Sequence, residues 1–108
     1  MAGAAILILT QMPDRASAQS LARSLVESRL AACVSIGTPV ESLYHWRGEI
    51  ETAQEIPVTV KTRSERYAEV EAAIRARHPY ELPEILAVPV SDGLAPYIAW
   101  IAGETVGT

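Results

Sequence analysis

The stretch from Glu49 to Lys61 restricts the fold of this chain more than any other. Ile50, Ile56, Val58 and Val60 fall on one parity, and Glu49, Glu51, Glu55, Thr59 and Lys61 on the other. A period of two puts apolar groups on one face of a strand and polar groups on the other, and no helix can satisfy it. Arg47-Gly48, just before it, reads as the tip of a hairpin whose other arm is Val40–Trp46. Pro57 cannot donate to a ladder, so a bulge or an edge is expected beside it. A two-residue loop sets Trp46 opposite Glu49, His45 opposite Ile50 and Tyr44 opposite Glu51. Both large aromatics then lie on the face away from Ile56, Val58 and Val60.

The remaining elements fall into place around this strand. Ile6–Leu9 is a short buried strand, stopped by Met12-Pro13-Asp14, with Asp14 placed to cap a helix over about 15–28. That helix turns Ala18, Leu21, Ala22, Leu25 and Val26 to one side. Leu30–Ile36 reads as a strand with Cys33 packed in its apolar run, and Gly37-Thr38-Pro39 interrupts it. Ser64 caps a second helix, striped by Tyr67, Val70, Ala73 and Ile74 and ending at His78-Pro79. Ile85–Val88 is the last strand, and Leu94–Ala102 a short helix that Gly103 stops. The order β-α-β-β-α-β-α predicts an α+β, ferredoxin-like split βαβ sandwich with a long β-hairpin and a short C-terminal helix, one domain over 1–108. An aromatic outer face on a hairpin long enough to overhang its helices predicts self-association.

Composition narrows the function. The chain has 108 residues, 49% hydrophobic and 20% charged, with a net charge of −4. An acidic balance argues against a nucleic-acid partner, which needs a basic face to displace counterions. No apolar run approaches the ~20 residues of a membrane span, and the N-terminal stretch lacks the basic start of a signal peptide. One cysteine, Cys33, cannot form an internal disulfide, so a cytoplasmic location is expected. Nucleotide, nucleophile and zinc signatures are absent, and no nucleophile–base pair can be assembled. The expectation is no enzyme. One loop stands apart: His78-Pro79-Tyr80-Glu81-Leu82-Pro83-Glu84 carries an imidazole, a phenol and two carboxylates between two stiffening prolines. Such a loop can position ligands for a metal, with His78 and Glu84 the candidates, or simply cap the preceding helix.

Several segments together resemble the CutA divalent-cation-tolerance family. They are Met12-Pro13-Asp14 with Ala18-Gln19, Leu30–Val34, Tyr44-x-Trp46-x-Gly48-x-Ile50, Glu55, Lys61-Thr62, His78–Ile85 and Tyr97-x-x-Trp100, in order across residues 6–101. The resemblance implies a ferredoxin-like subunit in a stable homotrimer with strand pairing between subunits, like PII signalling proteins. It further implies a role in divalent-cation tolerance and copper binding, without catalysis. The copper site of some members uses a Cys at the end of the first strand and two His before Pro-Tyr. Here Thr10 and Arg77 stand at two of those positions and only His78 matches, which implies weak binding of Cu2+ or another divalent cation. Tyr44, Trp46, Glu55, Lys61, Tyr80, Glu84 and Trp100 are expected to gather in a cleft between subunits. The rival expectation is a PII-like sensor or scaffold that takes a small anionic ligand or a protein partner in that cleft, with Lys61 as the charged contact.

Overall fold

Parity along two neighbouring strands determines where the core forms. In the computed structural model, which describes residues 4–106, β1 (Ala5–Met12) pairs antiparallel with β4 (Glu49–Arg63) from Ala5 opposite Arg63 to Met12 opposite Ile56. Ile8 and Met12 of β1 and Val58 and Val60 of β4 therefore share one face, and all four are buried. Two helices cover that face. α1 (Arg15–Glu27) buries Ala18, Leu21 and Leu25, and α2 (Tyr67–Arg77) buries Val70 and Ile74. Each fully buried aliphatic side chain contributes about 1.5–3 kcal/mol. This layer of helices on a sheet holds the main apolar core.

β2 (Cys33–Ile36) lies on the other side of β4, and β5 (Leu86–Pro89) on the other side of β1, every neighbouring pair antiparallel. The order β2-β4-β1-β5 is that of a split βαβ sandwich, with β3 (Val40–Trp46) continuing along β4 beyond β2. α3 (Ala95–Glu104) packs against β4 and β1.

The step from β2 to β3 is a bulge. Ile36 pairs with Val58, whereas Val40 pairs with Glu55, so three residues (37–39) on one side face two (56–57) on the other. Pro57 sits opposite this break, and its carbonyl accepts from the Gly37 amide at 2.9 Å. Gly37 is required there, because a Cβ would come within 2.8 Å of the Pro57 ring. The irregularity expected at Pro57 thus lies in the partner strand. The hairpin register is the expected one, with Trp46 opposite Glu49 and Tyr44 opposite Glu51. Arg47 and Gly48 both have positive φ, as a two-residue I′ turn demands.

Four expectations need correction. Residues 30–32 are not strand: α1 ends in a Schellman arrangement with Arg29 left-handed (φ 61°), and the amides of Leu30 and Ala31 bond back to the Leu25 carbonyl. Cys33 is half-buried rather than in the core, because its register opposite Lys61 turns it away from the helices. Ser64 opens a 3-10 turn, Ser64–Arg66, rather than capping α2. Gly103 does not stop α3, which runs to Glu104. Thr105 ends it, with its backbone carbonyl accepting from Arg63 and Arg66 at 2.7 and 2.8 Å.

Candidate functional site

β4 is longer than the sheet it belongs to, so Glu49–Glu55 and β3 project beyond the helices. Ile50 keeps the parity of Ile56 but is 69% exposed, and Leu43 is 67% exposed. The opposite face of this overhang forms one wall of a cleft of about 620 Å³, through Tyr44, Trp46, Ala53 and Glu55. Gln11, at the end of β1, forms the floor, and Tyr80, Glu81, Leu82 and Glu84 form the far wall.

His78 positions that far wall. It adopts an extended backbone at the end of α2, as a residue before proline prefers. Its Nε2 lies 2.6 Å from the Gln11 carbonyl oxygen, which can only accept, so Nε2 carries the proton. Nδ1 then accepts from the Tyr80 amide at 3.2 Å. The two contacts hold the ring in one orientation, tilted against the Tyr80 ring with 4.5 Å between centroids. Both ring nitrogens are engaged, so a metal reaches Nδ1 only by displacing the Tyr80 amide. Arg47 joins the hairpin tip to the same loop by donating to Glu81 Oε1 at 2.9 Å, and its guanidinium lies 5.3 Å from the Trp46 ring centroid. That ion pair is exposed and contributes little by itself.

Glu55 is the unusual group, a carboxylate 9% exposed. It accepts a hydrogen bond from the Tyr80 phenol. Burial first, and then the charge of Glu55, push the Tyr80 pKa above its ordinary value. The side-chain oxygen of Gln11 is buried with no hydrogen-bond partner. Among the described residues, three carboxylates (Glu55, Glu81 and Glu84) line the cleft and no basic side chain does. Such a cleft favours cations.

Of the residues singled out from sequence, the subunit brings Tyr44, Trp46, Glu55, Tyr80 and Glu84 together, with His78 behind the loop. Lys61 and Trp100 lie elsewhere. Lys61 is six residues along β4 from Glu55, about 20 Å at strand rise. Its Nζ donates to the Tyr97 hydroxyl at 3.4 Å, and Tyr97 stacks on Trp100 at 5.4 Å. Thr10 is buried on the helix side of β1 with its hydroxyl unpartnered, and Arg77 donates to Ser20 of α1 at 3.0 Å. Neither lines the cleft. Among the described residues, no three His, Cys, Asp or Glu side chains form a ready metal cluster. Sequence reasoning missed Gln11, although its position opposite Pro57 gives it the parity of Glu55 and so the same face.

Residues 6–104 match the family described as CutA1 divalent ion tolerance protein. The Divalent-cation tolerance protein CutA of Thermus thermophilus is 37% identical over 99 residues, covering 92% of this chain and 96% of that one. The crystal structure of CutA from Xylella fastidiosa superposes with a TM-score of 0.91 at 43% identity, covering 94% of this chain and 98% of the other. The structure of the periplasmic divalent cation tolerance protein CutA from Archaeoglobus fulgidus gives 0.91 at 39% identity, covering 94% of this chain and 99% of the other.

Proposed function

The chain belongs to the CutA1 divalent ion tolerance family, and from that premise we propose that it serves divalent-cation tolerance as a homotrimer that binds a divalent cation weakly, without catalysis. The observation that carries this reading is the cleft, whose lining among the described residues has three carboxylates and no basic side chain. Glu84 and His78 are the proposed metal ligands, with water completing the coordination. One imidazole and one carboxylate rank copper above its neighbours but give modest affinity, in the micromolar range (about −8 kcal/mol). Releasing the Tyr80 amide from His78 Nδ1 costs a further ~1 kcal/mol and weakens binding again. Acid competes for both ligands, so affinity falls with falling pH.

Self-association is supported by Leu43 and Ile50 on the hairpin and by Leu86 and Val88 on β5, all left in water by the isolated subunit. A cytoplasmic location is part of the same proposal, and cell fractionation tests it. The PII-like alternative, an anionic ligand held by Lys61, draws its support from the ring cluster of Lys61, Tyr97 and Trp100, away from the carboxylates. Titration calorimetry at pH 7.5 separates the two. Heat with Cu2+ or Zn2+ that His78→Ala or Glu84→Gln removes supports the metal reading. Unchanged Cu2+ binding by His78→Ala, or nanomolar binding through other groups, contradicts it.

A further inference from the structure

The cleft is too large and too aromatic to be explained by a metal ion alone. At about 620 Å³ it has room for roughly twenty waters at ~30 Å³ each, and so for an organic molecule of moderate size. Tyr44, Trp46 and Tyr80 supply π-faces, which attract a cation but do not coordinate a hard metal. Glu55 is more than nine-tenths buried and has no cationic partner among the described residues. The guanidinium of Arg47, at the hairpin tip, is engaged by Glu81. The Gln11 side-chain oxygen, buried and unpartnered, lines the same space. Glu55 accepts from the Tyr80 phenol but from no cation, and the Gln11 oxygen accepts from nothing among the described residues; a buried acceptor left unmatched costs about 1–3 kcal/mol.

We propose that the Glu55 end of the cleft is a binding site for a primary aliphatic ammonium compound, whose N–H groups donate to the Glu55 carboxylate and the Gln11 side-chain oxygen. The aromatic rings hold the charge by cation–π attraction, and Leu82 packs on the alkyl chain. A primary ammonium fits better than a quaternary one, because only N–H donors satisfy Glu55 and Gln11. An anionic or neutral ligand would leave the carboxylate desolvated without compensation.

This inference does not rest on the metal reading. The test uses the full chain freed of metal by chelation and dialysis, titrated with n-pentylamine at pH 7.5 and, in a second arm, with 1-pentanol, the neutral match in length. The indole N–H resonances of Trp46 and Trp100 are followed by NMR. The expected result is a saturable shift of Trp46 and not of Trp100, at least tenfold weaker with 1-pentanol and at least tenfold weaker in Glu55→Gln. Trp46→Leu, followed by calorimetry, keeps the test open if Glu55→Gln fails to fold, and a tenfold loss is expected there too. Equal binding of the alcohol, unchanged binding in these variants, or no Trp46 shift overturns the proposal. Separate addition of Cu2+ to the same sample shows whether the metal reading survives that outcome.

Discussion

Replacing Gly37 by alanine tests whether the bulge between β2 and β3 is fixed by its contact with Pro57. The new Cβ would sit 2.8 Å from Pro57 Cγ, against the ~3.5–4.0 Å at which carbon atoms ordinarily rest. Something must move by about 0.7 Å or more. The neighbour is a closed ring in the backbone of β4, so no rotamer change relieves the clash. Overpacking of this kind costs about 1–3 kcal/mol. Gly37 has no positive φ, so alanine also removes unfolded-state entropy, a gain of about 0.4–1 kcal/mol. The net expectation is a loss of about 1–2 kcal/mol, read by urea unfolding at fixed protein concentration because assembly would contribute to stability. In a Pro57→Ala background the ring is gone, and the cost of Gly37→Ala should fall below ~0.5 kcal/mol. An equal cost in both backgrounds, or stabilisation by the single variant, would refute the packing account.

Gly103→Ala should behave oppositely. A Cβ there meets nothing within 4 Å inside a helix, so a gain of about 0.5–1 kcal/mol is expected in the same unfolding assay. Ile74→Ala removes a fully buried side chain between α2 and the sheet and should cost about 2–5 kcal/mol. Alkali should destabilise the fold through Tyr80. Its raised native pKa means the unfolded chain ionises first, so stability present below pH ~10 is lost as pH rises towards the native value. Tyr80→Phe should flatten that decline in stability measured from pH 9 to 11. Sedimentation at micromolar concentration should give three times 11.7 kDa, and a monomer would remove the basis for a subunit-built site.

The parts of the fold legible in the sequence were those governed by local period and punctuation. Asp14 caps α1 by accepting from the Ser17 amide at 2.8 Å, and Arg47-Gly48 makes the turn that its position implies. What escaped depended on contacts distant in sequence. Gly103 reads as a helix stop, yet α3 continues because Arg63 and Arg66, some forty residues earlier, hold Thr105. Leu30-Ala31-Ala32 is apolar enough for a strand, but the amides of Leu30 and Ala31 are drawn back to α1 when Arg29 turns left-handed, and only that of Ala32 reaches β4, at the Lys61 carbonyl. The site was readable as a set of residue types, not as a grouping. Nothing local separates Lys61 from Glu55, and only the length of β4 does. That His78 spends both ring nitrogens on Gln11 and Tyr80 also required the fold, because Gln11 is 67 residues away.

Paramagnetic Cu2+ offers the most direct test of cation binding in this cleft, because it broadens NMR resonances only near where it sits. Substoichiometric Cu2+ added to metal-free, isotope-labelled protein at pH 7.5 should first erase the signals of His78, Tyr80 and Glu84, then those of Glu55 and Gln11 across the cleft. The Lys61, Tyr97 and Trp100 signals should survive. Broadening centred on His45, on Cys33 or on the Lys61 cluster, or no selective broadening at all, would contradict the account.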